Sequence, residues 1–226
     1  MIRERECVIY TIGHSNLPVE HLVALLKLNA IQVVIDIRTR PFSSYVPHFN
    51  RLNVERVLME AGIEYVFMGD TLGGYPRDPD CYVRDASKKG RTPDYSVMAT
   101  KGWFRQGLEA AIKIGTHKKT ALMCSEEDPG KCHRHYLVGK SLAERGIKVF
   151  HIRASGKLES PNFRDNHLGN LNQRQTGKSE NDRWSRVESN PTISGSRGAN
   201  LSHDIGLADD GKCEQLTLFP MEDLST

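Results

Sequence analysis

Short, uninterrupted apolar segments alternate with amphipathic segments along the first 155 residues, and this pattern restricts the fold more than any other feature. Apolar runs of strand length are typical of parallel strands that are buried on both faces, and the amphipathic segments supply the covering helices. We therefore expect an α/β fold, a single compact domain with a mainly parallel sheet flanked by helices. The predicted strands are 7–12, 32–37, 64–68, 120–124 and 148–152. The predicted helices are 18–28 capped by Asn16, 51–60 capped by Asn50, 101–114 and 133–145.

The composition changes near Ser155. Residues 156–226 contain 18 hydrophobic residues among 71, whereas the whole chain is 38% hydrophobic. Residues 1–155 carry a net charge of +6, and residues 156–226 carry −3. Because such a tail buries too little apolar surface to offset its ordering entropy, we expect it to be mostly disordered. The predicted organisation is an α/β domain over 1–155 and an acidic tail over 156–226.

Several classes of protein are disfavoured by the same sequence. No apolar run approaches the length of a membrane span, and the chain opens on a charged segment rather than a signal peptide. The five cysteines are an odd, scattered set, which argues against a disulfide framework. We therefore expect a soluble, cytoplasmic protein that makes no contact with a membrane.

Polar residues directly follow three of the predicted strands. In open parallel sheets, ligands bind beyond the carboxyl ends of the strands, so we expect these residues to share one crevice. Within it, the predicted catalytic residues are His14, Asp36, Glu126 and Cys132. The predicted substrate-binding residues are Ser15, Asn16, Arg38, Ser43, Cys124, His133 and Arg134.

The segment 124–134 carries the most chemistry. A Pro-Gly turn brings Cys132, His133 and Arg134 to the start of a predicted helix, where free N–H groups and the helix dipole favour an anion. Arg134 then offers a fork for phosphate, and Cys132 is expected to have a lowered pKa. Glu126 is a candidate general acid or base. The alternative is that Arg134 pairs with Glu126 or Glu127 to tie the loop, and that the cysteines simply pack.

Structural alternatives also stand beside the remaining residues. His14 is as suited to satisfying loop carbonyls as to proton transfer, and Asp36 and Arg38 share one face of an extended segment, where they can neutralise each other. A zinc site is a further possibility, since Cys124, Cys132, His133 and His14 offer four ligands. The seven residues between the cysteines are unlike a short zinc knuckle, and adjacent Cys-His ligands are awkward. We therefore predict no metal ligands and no cofactor, while a divalent metal remains possible.

The segment 69–100 is a long excursion between predicted elements, more typical of a functional or mobile region than of core. It belongs to a stretch in which aromatic and basic residues alternate, a composition that can stack bases and attract phosphates. The aromatic residues are Tyr75, Tyr82, Tyr95, Trp103 and Phe104, and the basic residues are Arg77, Arg84, Lys88, Lys89, Arg91 and Arg105. The structural alternative is a lid with its own packing and a solvated face.

Five motifs in order resemble a known family over about residues 7–153. They are 11–16 (Thr-Ile-Gly-His-Ser-Asn), 36–38 (Asp-Ile-Arg) followed by Pro41-Phe-Ser43 and Phe49-Asn50, 72–74 (Leu-Gly-Gly), 124–126 (Cys-Ser-Glu) and 132–134 (Cys-His-Arg). Together they resemble the prokaryotic family catalogued as domain of unknown function 488. The resemblance implies a compact α/β domain whose signature residues are the strand-end positions above. The family name supplies no established activity.

The tail ends in a short motif of a different kind. Gln215, Leu216, Leu218 and Phe219 resemble the peptide by which bacterial DNA polymerases and mismatch-repair proteins bind the DNA sliding clamp. Leu218 and Phe219 suit an apolar pocket, Gln215 suits an amide anchor, and the preceding tail suits a tether. We predict that residues 215–219 bind the clamp, the alternatives being a chance match or a segment that docks on its own domain.

Together these features predict an enzyme directed at nucleic acid or nucleotides, a hydrolase of a phosphate-bearing substrate that the tail recruits to DNA during repair or replication. The +6 charge of residues 1–155 is compatible with a nucleic-acid or nucleotide partner. Two alternatives remain open, a non-catalytic adaptor that binds nucleotide or nucleic acid and a cysteine-dependent transferase.

Overall fold

The central element is a six-stranded sheet, in a computed structural model that describes residues 7–84 and 91–163. Its strands are β1 (Val8–Gly13), β2 (Val33–Asp36), β3 (Glu64–Phe67), β6 (Thr120–Cys124), β7 (Lys148–Ile152) and β8 (Leu158–Glu159). They lie in the order β3-β2-β6-β1-β7-β8, and all are parallel except β8. Two further strands, β4 (Tyr82–Arg84) and β5 (Arg91–Pro93), form a separate antiparallel pair. The predicted α/β fold is confirmed.

Helices cover both faces of the sheet. One layer consists of α1 (Val19–Leu28) and α2 (Arg51–Glu60). The other consists of α3 (Gly69–Leu72), α4 (Tyr95–Thr100), α5 (Gly102–His117), and a π-helix (Arg134–Gly139) that continues into α6 (Lys140–Ala143). Because successive strand residues face opposite layers, both must be apolar, which explains the uninterrupted runs. Val34 thus packs in the α1 and α2 layer, and Ile35 packs in the other.

Both predicted helix caps are wrong in their chemistry. The first helix begins at Val19 after Pro18, so the exposed Asn16 lies too early to cap it. Asn50 does precede α2, but its side-chain oxygen accepts a hydrogen bond from the Ser43 backbone N–H at 2.6 Å. That side chain therefore closes the preceding loop instead of capping the helix.

One domain boundary and one segment also differ from the prediction. The strand β8 and the partly buried Phe163 lie beyond residue 155 and belong to the folded domain. The segment 69–100 contributes fully buried Leu72, Cys81 and Met98, so part of it belongs to the core. The rest of the predicted tail lies outside the described residues. Within the described ranges, no helix combines the length and hydrophobicity needed to span a bilayer.

The position of β6 between β1 and β2 is what builds the site. The chain forms β1, skips one position to β2, continues to β3, and later returns to fill the gap with β6. The carboxyl ends of three strands therefore lie side by side at the centre of the sheet, where the winding direction reverses.

Candidate functional site

The segments that follow β1, β2 and β6 remain joined beyond the sheet. The backbone N–H of His14 donates to the Cys124 carbonyl at 3.0 Å, and that of Ser15 donates to the Ser125 carbonyl at 2.7 Å. On the other side, the Ile37 N–H donates to the Met123 carbonyl at 3.0 Å. The three strand ends thus meet in one place.

Arg38 is held in this place by a nearly complete set of partners. Its Nε and Nη2 donate to the Asp36 carboxylate, with the shortest distance 2.6 Å, and the Tyr65 hydroxyl donates to the same carboxylate at 2.7 Å. Its Nη1 donates to the Phe49 carbonyl and to His14 Nε2, at 2.9 and 3.0 Å. One of its five N–H groups has no acceptor among the described residues, and Arg38 lines the cleft described below.

Asp36 and His14 support Arg38 and do not line the cleft. Asp36 is 0% exposed. The arginine side chain can only donate hydrogen bonds, so His14 Nε2 must accept from Arg38. The Nδ1–H of His14 then donates to the Ser15 carbonyl at 2.7 Å. Burial and the Arg38 charge lower the pKa of His14 to about 4. Both residues thus position Arg38, and their catalytic roles stay predictions. The bond from His14 to the Ser15 carbonyl and the pairing of Asp36 with Arg38 are the contacts of the structural alternatives.

The predicted substrate-binding residues Ser15, Asn16 and Ser43 do not line the cleft either. Ser15 adopts a φ of 45° in the turn after β1, and its hydroxyl donates to the Asn16 side-chain oxygen at 3.4 Å. The Ser43 hydroxyl accepts from the Tyr45 and Val46 N–H groups. Ser15 and Ser43 thus make their side-chain hydrogen bonds within their own loops, and Asn16 is exposed.

Arg134, predicted as an anion clamp, is fully buried and does not line the cleft. Its Nη1 and Nη2 donate to the main-chain carbonyls of Glu126 and Glu127, and its Nε has no acceptor in the described part of the chain. Gly13 lies against this contact, since a Cβ at that position would overlap the Glu126 carbonyl oxygen and Arg134 Nη1. Arg134 ties the loop after β6 to the π-helix that begins at Arg134, through carbonyls rather than through the carboxylates of the alternative interpretation.

A cleft of about 1110 Å³ opens at this edge of the sheet. Arg40, Arg77 and Lys131 line it and are exposed, and none has an ion-pair partner among the described residues. The opposing charges on its walls are Asp70, Asp78 and Glu126, of which Asp78 pairs with Lys101 at 2.8 Å. The aromatic side chains of its walls are Tyr75, Tyr82, Tyr95 and Trp103.

Cys124, Cys132 and His133 form one buried cluster in the wall of the cleft. Both sulfurs lie 3.7 Å from His133 Nδ1, and His133 Nε2 lies 3.1 Å from the Ile37 carbonyl oxygen. A carbonyl only accepts, so Nε2 carries the proton, and in the neutral ring the Nδ1 lone pair faces the two thiols. The predicted sites at Cys124 and His133 thus lie in the cleft, together with Cys132.

The surroundings of this cluster favour ionisation of Cys124 over ionisation of Cys132. The hydrogen bond from the Cys132 thiol, together with the charges of His133 and Arg134, lowers the pKa of Cys124. Burial raises the pKa of Cys132, so the predicted lowering at Cys132 is wrong. Burial opposes a proton on His133, but the charge and hydrogen bond of Cys124 outweigh it and raise the pKa of His133.

Glu126 lines the cleft near the start of the loop that Arg134 holds. Burial and the Cys124 charge raise the pKa of the Glu126 carboxyl, and they outweigh the positive charges of Arg134 and Lys131, which lower it. Of the predicted catalytic residues, Glu126 and Cys132 line the cleft. Arg40, Asp70 and the Gly74–Asp78 segment were missing from the predicted site; the alternation of aromatic and basic residues was the signal for the part near Arg77.

A buried histidine near the site makes a pH prediction possible. His151 is fully buried, bonded to the Thr11 hydroxyl at 2.6 Å and to His135 at 3.0 Å, and burial with the Arg134 charge lowers its pKa from 6.5 to about 3. Below pH 6.5 the folded state then binds fewer protons than the unfolded state. The free energy of unfolding therefore decreases as the pH is lowered. At pH 5 we expect a loss of about 2 kcal/mol from this residue, since each pKa unit corresponds to about 1.4 kcal/mol.

Urea denaturation between pH 7 and pH 4 measures this effect. His151→Asn keeps an acceptor for the Thr11 hydroxyl and removes the titration, so its stability should depend less on pH than that of the wild type. His117→Asn, at an exposed histidine, is the matched control. Equal pH dependence of the wild type and His151→Asn would contradict the assignment.

Comparison with known proteins identifies one relationship. A family model described as "Domain of unknown function DUF488" matches residues 18–140. No curated protein matches the chain, and no solved structure matches it. The matched range begins just before α1 and runs to the start of α6, so it contains β2, β6 and every residue that lines the cleft.

Proposed function

The chain belongs to the DUF488 family, and we propose that it is a hydrolase of a nucleotide or nucleic-acid substrate, which binds in the cleft. The observation that carries this proposal is the chemistry of the cleft walls. Three cations without ion-pair partners among the described residues, Arg40, Arg77 and Lys131, lie around one cavity with four aromatic side chains. Cations suit phosphate groups, and aromatic faces suit bases.

The shape of the cleft fits a substrate of this class. Its volume of about 1110 Å³ is at the upper end of small-molecule sites, which leaves room for a nucleotide with its neighbours. Arg38 adds a cation whose position is fixed by Asp36 and His14, with one N–H to spare. Glu126 supplies a carboxylate inside the cleft, as a general acid or base in hydrolysis requires.

Binding to a fluorescein-labelled single-stranded oligonucleotide and to a nucleoside monophosphate tests the proposal. We expect Arg40→Ala and Lys131→Ala to weaken oligonucleotide binding and each to reduce the slope of log affinity against log salt by about 1. Glu126→Gln should retain binding and lose turnover by about 100-fold or more, as general acid or base loss does. Turnover is followed by chromatography of end-labelled DNA and of the nucleotide.

Exposed residues away from the cleft supply the controls. Lys113→Ala and Glu109→Gln, both on the outer side of α5, should leave binding and turnover unchanged. If Lys113→Ala weakens binding as much as Lys131→Ala, attraction to the cleft is ruled out as the cause. Binding without turnover in the wild type would favour the non-catalytic adaptor over the hydrolase.

We further propose that residues 215–219 recruit the protein to a bacterial DNA sliding clamp; they lie outside the described residues. In the full-length protein, Leu218→Ala with Phe219→Ala should weaken binding to purified clamp by about 30-fold or more, because anchor side chains in interfaces contribute about 2 kcal/mol or more. Fluorescence anisotropy measures the affinity. Leu201→Ala with Leu207→Ala, in the same tail, is the matched control. Unchanged clamp affinity in the first variant would contradict the motif.

One observation favours a second candidate function, a cysteine-dependent transferase. Cys124 lines the cleft with its sulfur 3.7 Å from His133 Nδ1, an arrangement of nucleophile and base. On this interpretation iodoacetamide modifies Cys124 and stops turnover, and a bound metal ion does not protect the thiol. The experiment in the next subsection separates this candidate from the first.

A further inference from the structure

Three donor atoms in the wall of the cleft have the spacing of metal ligands. The Sγ atoms of Cys124 and Cys132 each lie 3.7 Å from His133 Nδ1, and all three donor atoms lie within 4.8 Å of one another. With Zn–S near 2.3 Å and Zn–N near 2.0–2.1 Å, tetrahedral geometry places sulfur and nitrogen about 3.6 Å apart. The observed separation already matches that spacing.

We infer that Cys124, Cys132 and His133 Nδ1 form a binding site for a zinc ion, with the fourth coordination position open to the cleft. Two thiolates and an imidazole are ligands that Zn²⁺ prefers, and three protein ligands with an open position are typical of catalytic zinc sites. All three residues line the cleft, so the open position faces the substrate space.

The surroundings of the cluster suit a metal site. The His133 Nε2–H donates to the Ile37 carbonyl, the outer-shell contact that fixes a ligating imidazole and leaves Nδ1 free to coordinate. The Arg134 backbone N–H donates to Cys132 Sγ at 3.4 Å, which suits a sulfur that carries charge. Gly74 packs against the His133 ring, since a Cβ there would lie 2.8 Å from Cγ and 3.0 Å from Nδ1.

The backbone explains how adjacent residues can both be ligands. Cys132 has extended dihedral angles (φ −133°, ψ 144°) after the short 3₁₀ turn Pro129–Lys131, whereas His133 is helical (φ −60°, ψ −22°) at the start of the π-helix. This change of direction brings the two side chains together on one side. The objection from the sequence, that neighbouring Cys-His ligands are awkward, is thereby answered. His14 lies outside the cluster and is engaged by Arg38.

The zinc site does not depend on the proposed hydrolase activity, because its three ligands are identified from their own geometry. Its consequence for the reaction does rest on the proposed function. A zinc ion at this position would bind a water molecule and lower the pKa of that water, which supplies a hydroxide for hydrolysis in the same cleft that binds phosphate. The chain's own residues would then bind and orient the substrate.

Metal binding to the full-length protein tests the site directly. Chelator-treated protein carrying Cys213→Ser, which removes the thiol in the tail, is titrated with Zn²⁺ against a chromophoric chelator, and metal content is measured by mass spectrometry. We expect one Zn²⁺ per chain. Co²⁺ in its place should give the thiolate-to-metal charge-transfer absorption of a tetrahedral site. Cys132→Ser and His133→Gln should each weaken Zn²⁺ binding by about 100-fold or more, since even outer-shell losses cost about 10–100-fold.

Two further measurements keep the outcomes separable. His133→Gln retains an N–H donor for the Ile37 carbonyl, and Cys7→Ser alters a thiol outside the cluster and should leave Zn²⁺ binding unchanged; circular dichroism confirms that each variant is folded. Zinc should also protect Cys124 from iodoacetamide. Substoichiometric zinc, a cobalt spectrum without the thiolate band, or rapid alkylation of Cys124 in the presence of zinc would overturn the site. Stoichiometric zinc without oligonucleotide or nucleotide binding would support the site and overturn the proposed hydrolase.

Discussion

Gly13→Ala should destabilise the fold more than any other single methyl group added to the described residues around the cleft. The new Cβ would overlap the Glu126 carbonyl oxygen and the Arg134 guanidinium. Neither neighbour can yield easily, because one is backbone and the other is a fully buried side chain that bonds to that same carbonyl. We expect a loss of about 3 kcal/mol or more in the free energy of unfolding, the upper end of overpacking costs.

Urea denaturation of Gly13→Ala and Gly102→Ala makes the comparison. Gly102 is the first residue of α5 and has open space around its Cα, so alanine there should be neutral or should stabilise by up to about 1 kcal/mol. The contrast isolates space as the cause, because neither glycine has a positive φ. Similar midpoints for the two variants would show that the loop after β6 moves freely away from β1.

Asp36→Asn is expected to have the second large effect, through the charge it leaves behind. The Asp36 carboxylate accepts hydrogen bonds from Arg38 and from the Tyr65 hydroxyl, and Arg38 is itself 6% exposed. Removing one partner of a buried ion pair leaves an uncompensated charge, which costs about 3–5 kcal/mol. We therefore expect a loss of that size in the free energy of unfolding, with a shift of the Arg38 side chain that also weakens binding in the cleft.

A surface ion pair provides the matched comparison. Glu64 and Lys118 form an ion pair in which each side chain is about half exposed, so Glu64→Gln should cost less than about 1 kcal/mol. A second comparison uses Tyr65→Phe, which removes one neutral donor from Asp36 and leaves both charges in place. If Asp36→Asn lowers the free energy of unfolding no more than Glu64→Gln does, the Arg38 guanidinium is solvated in the variant. The buried ion pair then does not stabilise the site.

The sequence predicted the strands because burial on two faces demands apolar side chains at nearly every position. That requirement is visible in segments such as Val33–Asp36 and Thr120–Cys124. The apolar pattern does not predict β8, because this strand has only two residues and forms by pairing with β7 at the edge of the sheet. The order of the strands was likewise absent from the pattern, since neighbours in this sheet are distant along the chain.

Within the site, the sequence predicted the location better than the roles. The strand ends do bring together His14, Asp36 and Arg134. A polar residue that follows a strand can line the cleft, however, or it can position another residue that lines the cleft. Arg134 illustrates the difference, because the phosphate that it suits in isolation is replaced here by two main-chain carbonyls. That choice depends on the small volume of Gly13, a contact across most of the chain, which no local pattern encodes.

The late position of β6 in the chain has a consequence for biosynthesis. When the ribosome has delivered β1, β2 and β3, the slot between β1 and β2 is still empty, and the inner edges of both strands lack their hydrogen-bonding neighbour. Residues 120–124 fill that slot and bring Cys124 with them, so the centre of the sheet and this wall of the cleft can form only after β6 is synthesised. Contacts of such long sequence separation close slowly, so we expect an incomplete sheet with exposed strand edges to be the stage most prone to aggregation.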